Sequence, residues 1–278
     1  MGNGIMAGFT GKTLCFSVPY LPHAWPTSYQ LATESDIVAI KPIPGGIVVG
    51  TKGKPYIAQG TDPASVSLIQ LESDQACVSK MSMVDMGGYV MYASPDGLVA
   101  VQGGQVQLVT EALLRRSQWQ AYTPGSMKAM NYEGTYIASN ATQSIVFDPR
   151  GGKNALSTCS DTFKAAYNHL ESDTLYFVDG TAVKKFGQGA GAYSYTWKSK
   201  PFLSAKSRNF GWAQVDADTY PVTFKLFTDS TLSYTHSVLN GDPFRLPSGN
   251  LSKQWEFEIL GTGAVNSVGI TDNVAELL

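Results

Sequence analysis

The sequence predicts an all-β protein: β-propeller-like repeats followed by a small β-sandwich domain. Three observations carry that prediction. The 278 residues include 28 Gly and 14 Pro beside 14 Tyr and 12 Phe, so turn formers and strand-favouring aromatics are both abundant. Charged residues are only 15%, against roughly 25% in ordinary soluble chains, and good helix formers such as Glu, Lys and Arg are correspondingly scarce. Short apolar runs bounded by turn residues recur along most of the chain.

The elements follow in order. Ile5 to Ala7 and Leu14 to Phe16 read as a first hairpin, with Gly8 to Lys12 as its turn region. Gly45 to Pro63 reads as strand, Thr-Lys-Gly turn, strand and Thr-Asp-Pro turn, and Gly87 to Val109 as three strands. In the Ser-Pro-Asp-Gly turn of that second segment, Pro presets φ, Asp can bond its own backbone and Gly takes positive φ. Gly134 to Gly152 and Asp173 to Gly189 repeat the plan. Met6, Val48, Val90, Ile137 and Leu175, taken as centres of the first strand of each unit, are spaced by 42, 42, 47 and 38 residues. A period of about 40–47 residues holding three or four strands is that of propeller blades. Each blade needs neighbours to cover its two apolar faces. No Trp-Asp or kelch motif recurs, and a generic β-sandwich is the alternative.

Thr110 to Tyr122 breaks the pattern. Thr110 is a candidate N-cap, and a short helix near 110–121 is expected between blades, with Leu113, Leu114 and Trp119 packing it down. Arg115 and Arg116 would then be exposed, either to contact a neighbouring subunit or on a helix that caps its own domain. From Thr196 the texture changes to strict alternation, as in Trp255, Phe257 and Ile259 against Gln254, Glu256 and Glu258, which marks strands with one buried and one wet face. The expected organisation is therefore a propeller-like domain over 1–195 and a sandwich-like domain over 196–278. Lys198 to Gly211 would be the crossing between them.

Several chemistries are disfavoured. Gly8 to Thr13 ends like a P-loop, but the first glycine of that motif would fall at Met6, and prolines at 19, 22 and 26 stop the helix the phosphate needs. His23, His169 and His236 are scattered without a catalytic motif. Asp216 and Asp218 lack the further oxygens of a calcium loop. No catalytic residue, metal site or cofactor is expected. Cys15, Cys77 and Cys159 are too far apart for a disulfide framework and read as buried thiols. The net charge of −2 argues against gripping nucleic acid, and Arg115-Arg116 is the nearest approach to a basic patch. No apolar run is long enough for a membrane-spanning helix, and no signal peptide is legible. Tyr20, His23 and Trp25, in "PYLPHAWP", form the best candidate for a sugar or receptor contact.

The words "NGIMAGFTGKTLCFSVPYLPHAWP", "GTDPASVSLIQLESDQACVSK", "GGYVMYASPDGLVAV", "QLVTEALLRRSQW", "NFGWAQVDA", "PFRLPSG" and "VNSVGITDNVAEL" together resemble a family of tailed-bacteriophage virion proteins. The resemblance is most specific from Ala7 to Gly97. Related podoviral tail nozzle proteins are β-propellers that assemble as rings, commonly hexameric. The resemblance implies a non-enzymatic tail component in the virion, made in the host cytoplasm. Its partners would be itself in a ring and other tail proteins, with a possible host-surface contact, and DNA would pass without specific binding. Members are about twice as long, and this chain matches their C-terminal half. The alternative is a receptor- or glycan-binding propeller. Tyr20, His23, Trp25, Arg115, Arg116 and Trp119 are the candidate subunit or receptor contacts.

Overall fold

A computed structural model describes residues 4–152, 155–187, 189 and 191–277. The chain divides into two compact units, Met1–Gly187 and Gln188–Leu278. Every sheet in both is antiparallel.

Among the described residues the first unit holds five sheets, each an up-and-down meander. They comprise β1 (Ala7–Thr10), β2 (Thr13–Phe16) and β3 (Gln30–Ala32); β4 (Ile37–Ile43), β5 (Gly46–Thr51), β6 (Tyr56–Gln59) and β7 (Ser67–Gln70); β8 (Val84–Asp85), β9 (Val90–Ala93), β10 (Leu98–Gln102) and β11 (Gln105–Leu108); β12 (Lys128–Tyr132), β13 (Thr135–Ser139), β14 (Ser144–Phe147) and β15 (Leu156–Cys159); and β16 (Ala166–His169), β17 (Thr174–Asp179) and β18 (Ala182–Lys185). Val48, Val90, Ile137 and Leu175 therefore mark the second strand of their sheets, not the first, and Met6 precedes β1. The first hairpin turns at Gly11 and Lys12 alone, with Gly11 at φ 54°, because the β1–β2 pairing runs out to Thr10 and Thr13.

The side-chain period of two explains how the sheets combine. In β9 all four residues are buried, yet they feed two cores. Val90 and Tyr92 join Val48 and Ile57 of the second sheet, while Met91 and Ala93 join Tyr136, Ala138 and Phe147 of the fourth. In β5, Val48 faces the third sheet, and Ile47 and Val49 meet Leu14 and Phe16 of the first. In β13, Ile137 turns the other way, toward Leu175 and Phe177 of the fifth sheet. Each central strand is apolar on both sides because it separates two cores.

The Ser94–Gly97 turn works differently from expectation. Gly97 has no positive φ; its missing side chain leaves room for the Thr110 hydroxyl, which accepts the Leu98 amide at 3.0 Å. The Ser94 hydroxyl, not Asp96, accepts the turn amides of Asp96 and Gly97. Because Thr110 is spent there, it caps no helix. The chain makes a turn at Thr110–Leu114, and the only α-helix among the described residues is α1 (Arg116–Ala121).

The second unit contains β19 (Tyr195–Lys198), β20 (Phe202–Arg208), β21 (Trp212–Ala217), β22 (Val222–Thr228), β23 (Thr231–Val238), β24 (Phe244–Arg245), β25 (Ser252–Gly261) and β26 (Val265–Thr271). One sheet runs β19-β25-β22-β23, with β20 also on β25, and the other runs β24-β21-β26. Ala213 and Val215 of one sheet share a core with Phe224, Leu226, Trp255, Phe257 and Ile259 of the other. The texture change at Thr196 falls one residue inside β19, whose Tyr195 pairs with Gly261. Lys198 to Gly211 is not a crossing segment, since β20 pairs with β25 of the same unit.

The opposite face of the larger sheet carries paired charges. Lys198 Nζ lies 2.8 Å from Glu256 and 3.9 Å from the Phe227 ring centre, and Lys225 Nζ lies 2.9 Å from Glu258. The bond from Lys198, helped by Gln254, holds the Glu256 carboxyl below its ordinary value of 4.5.

Met91→Ala is expected to cost about 2–5 kcal/mol of stability, and Ile69→Ala on the outermost strand of the second sheet, 46% exposed, under about 1 kcal/mol; urea titration compares them. Glu256 stabilises the fold above the ordinary carboxylate range, and that contribution is lost as pH falls through its depressed folded value. The acid-side drop in Tm should therefore be shallower in Glu256→Gln, as calorimetry across about pH 3 to 6 would measure.

Candidate functional site

The candidate contact residues lie on three separate surfaces. The first is the loop between β2 and β3. Its backbone is held by Val18 N–H to Ala24 O (2.9 Å) and Tyr20 N–H to Gly4 O (3.0 Å). Tyr20 sits at φ 60° with its ring against Gly4, and is 79% exposed. Trp25 donates its indole N–H to Pro22 O at 2.8 Å, lies over Gly8 and is 39% exposed. His23 is also exposed. Sequence proximity places all three on one loop, and the hydrogen bonds give that loop a defined shape.

The second surface is α1. Trp119 is 0% exposed, so it cannot touch a partner; the expectation that it is a contact residue is corrected. Its indole N–H donates to Ser94 O at 2.8 Å. Gln120 donates to Pro95 O, and Arg116 pairs with Asp96 at 2.9 Å. Positions 116, 119 and 120 are one face of a helix, and all three grip the same Ser94–Gly97 turn. The helix therefore anchors its own unit. Arg115 is exposed, its amide donating to Gln118 at 2.9 Å. No hydrogen bond or ring contact joins α1 to the Tyr20 loop among the described residues.

The third surface was not anticipated from the sequence. In β17, Leu175 and Phe177 enter the core shared with the fourth sheet, so Tyr176 points to the opposite face. Tyr167, Tyr176 and Lys185 form one row across the three strands. His169 lies edge-on to Tyr167 and Tyr176 at 6.2 and 6.4 Å, with its Nδ1 3.0 Å from the Ser172 hydroxyl. Lys185 Nζ is 5.8 Å from the Tyr176 ring centre. Tyr167 is 64% and Val183 69% exposed. The signal was present in "TLYFV", where apolar residues occupy both parities, as they do in strands buried on two sides.

The remaining sequence candidates have packing roles. Gly11 and Lys12 are a hairpin turn whose carbonyls accept Ile37 and Thr33 amides, each at 2.9 Å. His236 stacks on Phe244 with centres 4.4 Å apart. Asp218 accepts from Asn266 at 3.1 Å. Among the described residues, no three His, Cys, Asp or Glu side chains gather as a metal site. Cys77 is buried, and burial pushes its thiol up to about 12. Cys15 and Cys159 are only half-buried, which corrects the reading of all three as buried.

Taken together, fold and surfaces define an all-β protein of two units with aromatic side chains exposed on the β2–β3 loop and on the fifth sheet. No protein-family model matches the chain, and no curated protein matches it. Among solved structures, it is similar to an exo-beta-1,3-galactanase from Phanerochaete chrysosporium with beta-1,3-galactotriose, at 9% identity over 98% of this chain and 93% of that one, with a TM-score of 0.31. It is also similar to the N-terminal domain of Nup159 (10% identity, 94% and 87% coverage, TM-score 0.35). A third is BBS1N in complex with ARL6DN (12% identity, 65% and 73% coverage, TM-score 0.30). Likenesses this distant bear on neither the fold nor the chemistry of this chain.

The α1 anchor is testable. Trp119→Phe keeps most of the bulk but strands the Ser94 carbonyl, at a cost of about 1–3 kcal/mol. Trp119→Ala should cost about 3–5 kcal/mol. Urea unfolding followed by tryptophan fluorescence would measure both.

Proposed function

We propose that this chain is a structural component of a bacteriophage tail, at the nozzle or tail tip, acting by assembly of subunits around the DNA conduit. In this reading the five sheets of the first unit are propeller blades set about an axis, and the second unit is a small β-sandwich. The phage resemblance of the sequence, strongest from Ala7 to Gly97, supplies the setting. The observation that carries the assembly step is the outward face of the fifth sheet. The second, third and fourth sheets each bury apolar residues on two sides, whereas the fifth offers Tyr167 and Val183 to solvent. An apolar sheet face of this kind is stabilised by being covered. A neighbouring subunit is the proposed cover, in a heterologous contact that closes into a ring.

The modest charge suits the same role. A conduit lined with few cations holds DNA weakly and lets it slide. Work is done by contact geometry, and no residue is assigned a catalytic part.

The expected outcome is a defined oligomer in sedimentation velocity at micromolar concentration. Tyr167→Asp combined with Val183→Asp should yield monomers with unchanged far-UV circular dichroism. A wild-type protein that stays monomeric would sink the assembly reading.

A further inference from the structure

From Thr181 to Val215 the chain carries Lys184, Lys185, Lys198, Lys200, Lys206 and Arg208 and not one Asp or Glu. In a protein of net charge −2 this is a marked segregation of charge. Lys184 and Lys198 are committed to Asp179 and Glu256. Lys200, Lys206 and Arg208 are exposed and make no ion pair among the described residues. Lys253, across from β20 on β25, is in the same position. The carboxylates alongside are occupied: Asp229 accepts from Ser252 at 2.7 Å, and Glu256 is held by Lys198 and Gln254.

Arg208 lines a built concavity, and Lys206 and Lys253 lie on the two strands that bound it. Between Leu203 and Arg208 the register of β20 on β25 shifts, and the Ser204 hydroxyl bonds the carbonyl of Lys206 at 2.7 Å. Beneath this bulge lies a groove of about 340 Å³ lined by Phe202, Leu203, Arg208, Phe210 and Trp255 among others. Phe210 and Trp255 meet edge to face at 4.9 Å and form its floor. Leu203, on the rim, is 78% exposed. The outer edge of β20 pairs with no strand among the described residues, so its amides and carbonyls face outward.

We propose that this groove and its cationic rim dock an acidic, extended polypeptide segment that carries an apolar side chain. Charge complementarity selects the acid, the aromatic floor selects the apolar anchor, and the open strand edge favours an extended backbone. A nucleic acid fits less well. A phosphate backbone uses a longer track of cations, and it has no aliphatic group to match Leu203. The cations Lys200, Lys206, Arg208 and Lys253, unpaired among the described residues, correct the expectation that Arg115-Arg116 is the nearest approach to a basic patch.

Fluorescence anisotropy with the full chain tests the assignment, using a short fluorescein-labelled peptide of glutamates around one central phenylalanine. Saturable binding that weakens with added salt is expected. Arg208→Glu and Lys206→Glu should each weaken it roughly tenfold, and Leu203→Asp at least several-fold. Leu239→Asp, at another exposed leucine, should leave it unchanged. Circular dichroism checks each fold, and Lys206, wholly on the surface, keeps the test valid if another variant misfolds. No saturable binding, or equal binding by Lys206→Glu and Arg208→Glu, overturns the proposal. So does displacement of the peptide more readily by mixed-sequence duplex DNA or by phosphatidylserine vesicles than by unlabelled peptide, since the site would then read polyanions at large.

Discussion

The first unit depends on one constraint: neighbouring residues in a strand point to opposite faces, and here both faces are buried. Val90 and Met91 are adjacent in sequence and fully buried, yet they belong to different cores. A slip of one residue in β9 would exchange the contents of two cores at once. Register is therefore specified twice over in β5, β9 and β13. That double specification lets short strands, four residues in β9, hold their place without long ladders of hydrogen bonds.

Polar groups fix what packing alone leaves loose. The Ser82 hydroxyl donates to Ser79 O at 2.8 Å and accepts the Ala93 amide at 3.1 Å. Its own carbonyl accepts the Tyr136 hydroxyl at 2.8 Å. The connection into the third sheet is thereby tied both to that sheet and to the fourth. α1 does the same for the Ser94–Gly97 turn through Arg116, Trp119 and Gln120. Buried polar groups that are fully paired add direction to a core whose apolar contacts have little.

Much of this was legible in the sequence, and the failures have physical causes. The hairpins that join β5 to β6, β9 to β10 and β10 to β11 fell where they were read, because turn chemistry is local, whereas the first hairpin has a tighter turn than was read. Two first strands were missed because they are short or polar: β8 is two residues and β16 reads Ala-Tyr-Asn-His, too little for a visible alternation. β4, seven mostly apolar residues, was passed over because the unit was taken to begin at the strand around Val48. Thr110 looked like a helix cap because its competing partner, the Leu98 amide, is a tertiary contact. Trp119 was legible as a packing residue and was misplaced among surface contacts, since six helical residues do not reveal which face is covered. The cations of β20 passed unnoticed because net charge averages over the chain, whereas their isolation appears only when Glu256 and Asp229 are seen to be occupied.

The sharing of cores has a thermodynamic consequence. Each apolar cluster in the first unit is owned by two sheets in succession, so cohesion is a sum of nearest-neighbour terms. An inner sheet leaves only by breaking two such terms, while the first and the fifth each leave by breaking one. Amide protection should then be graded along the chain, deepest around β9 and β13 and shallower in β1 to β3 and β16 to β18. The fifth sheet, with Tyr167 and Val183 exposed, would act as a reversible clasp, open part of the time and secured by whatever covers it.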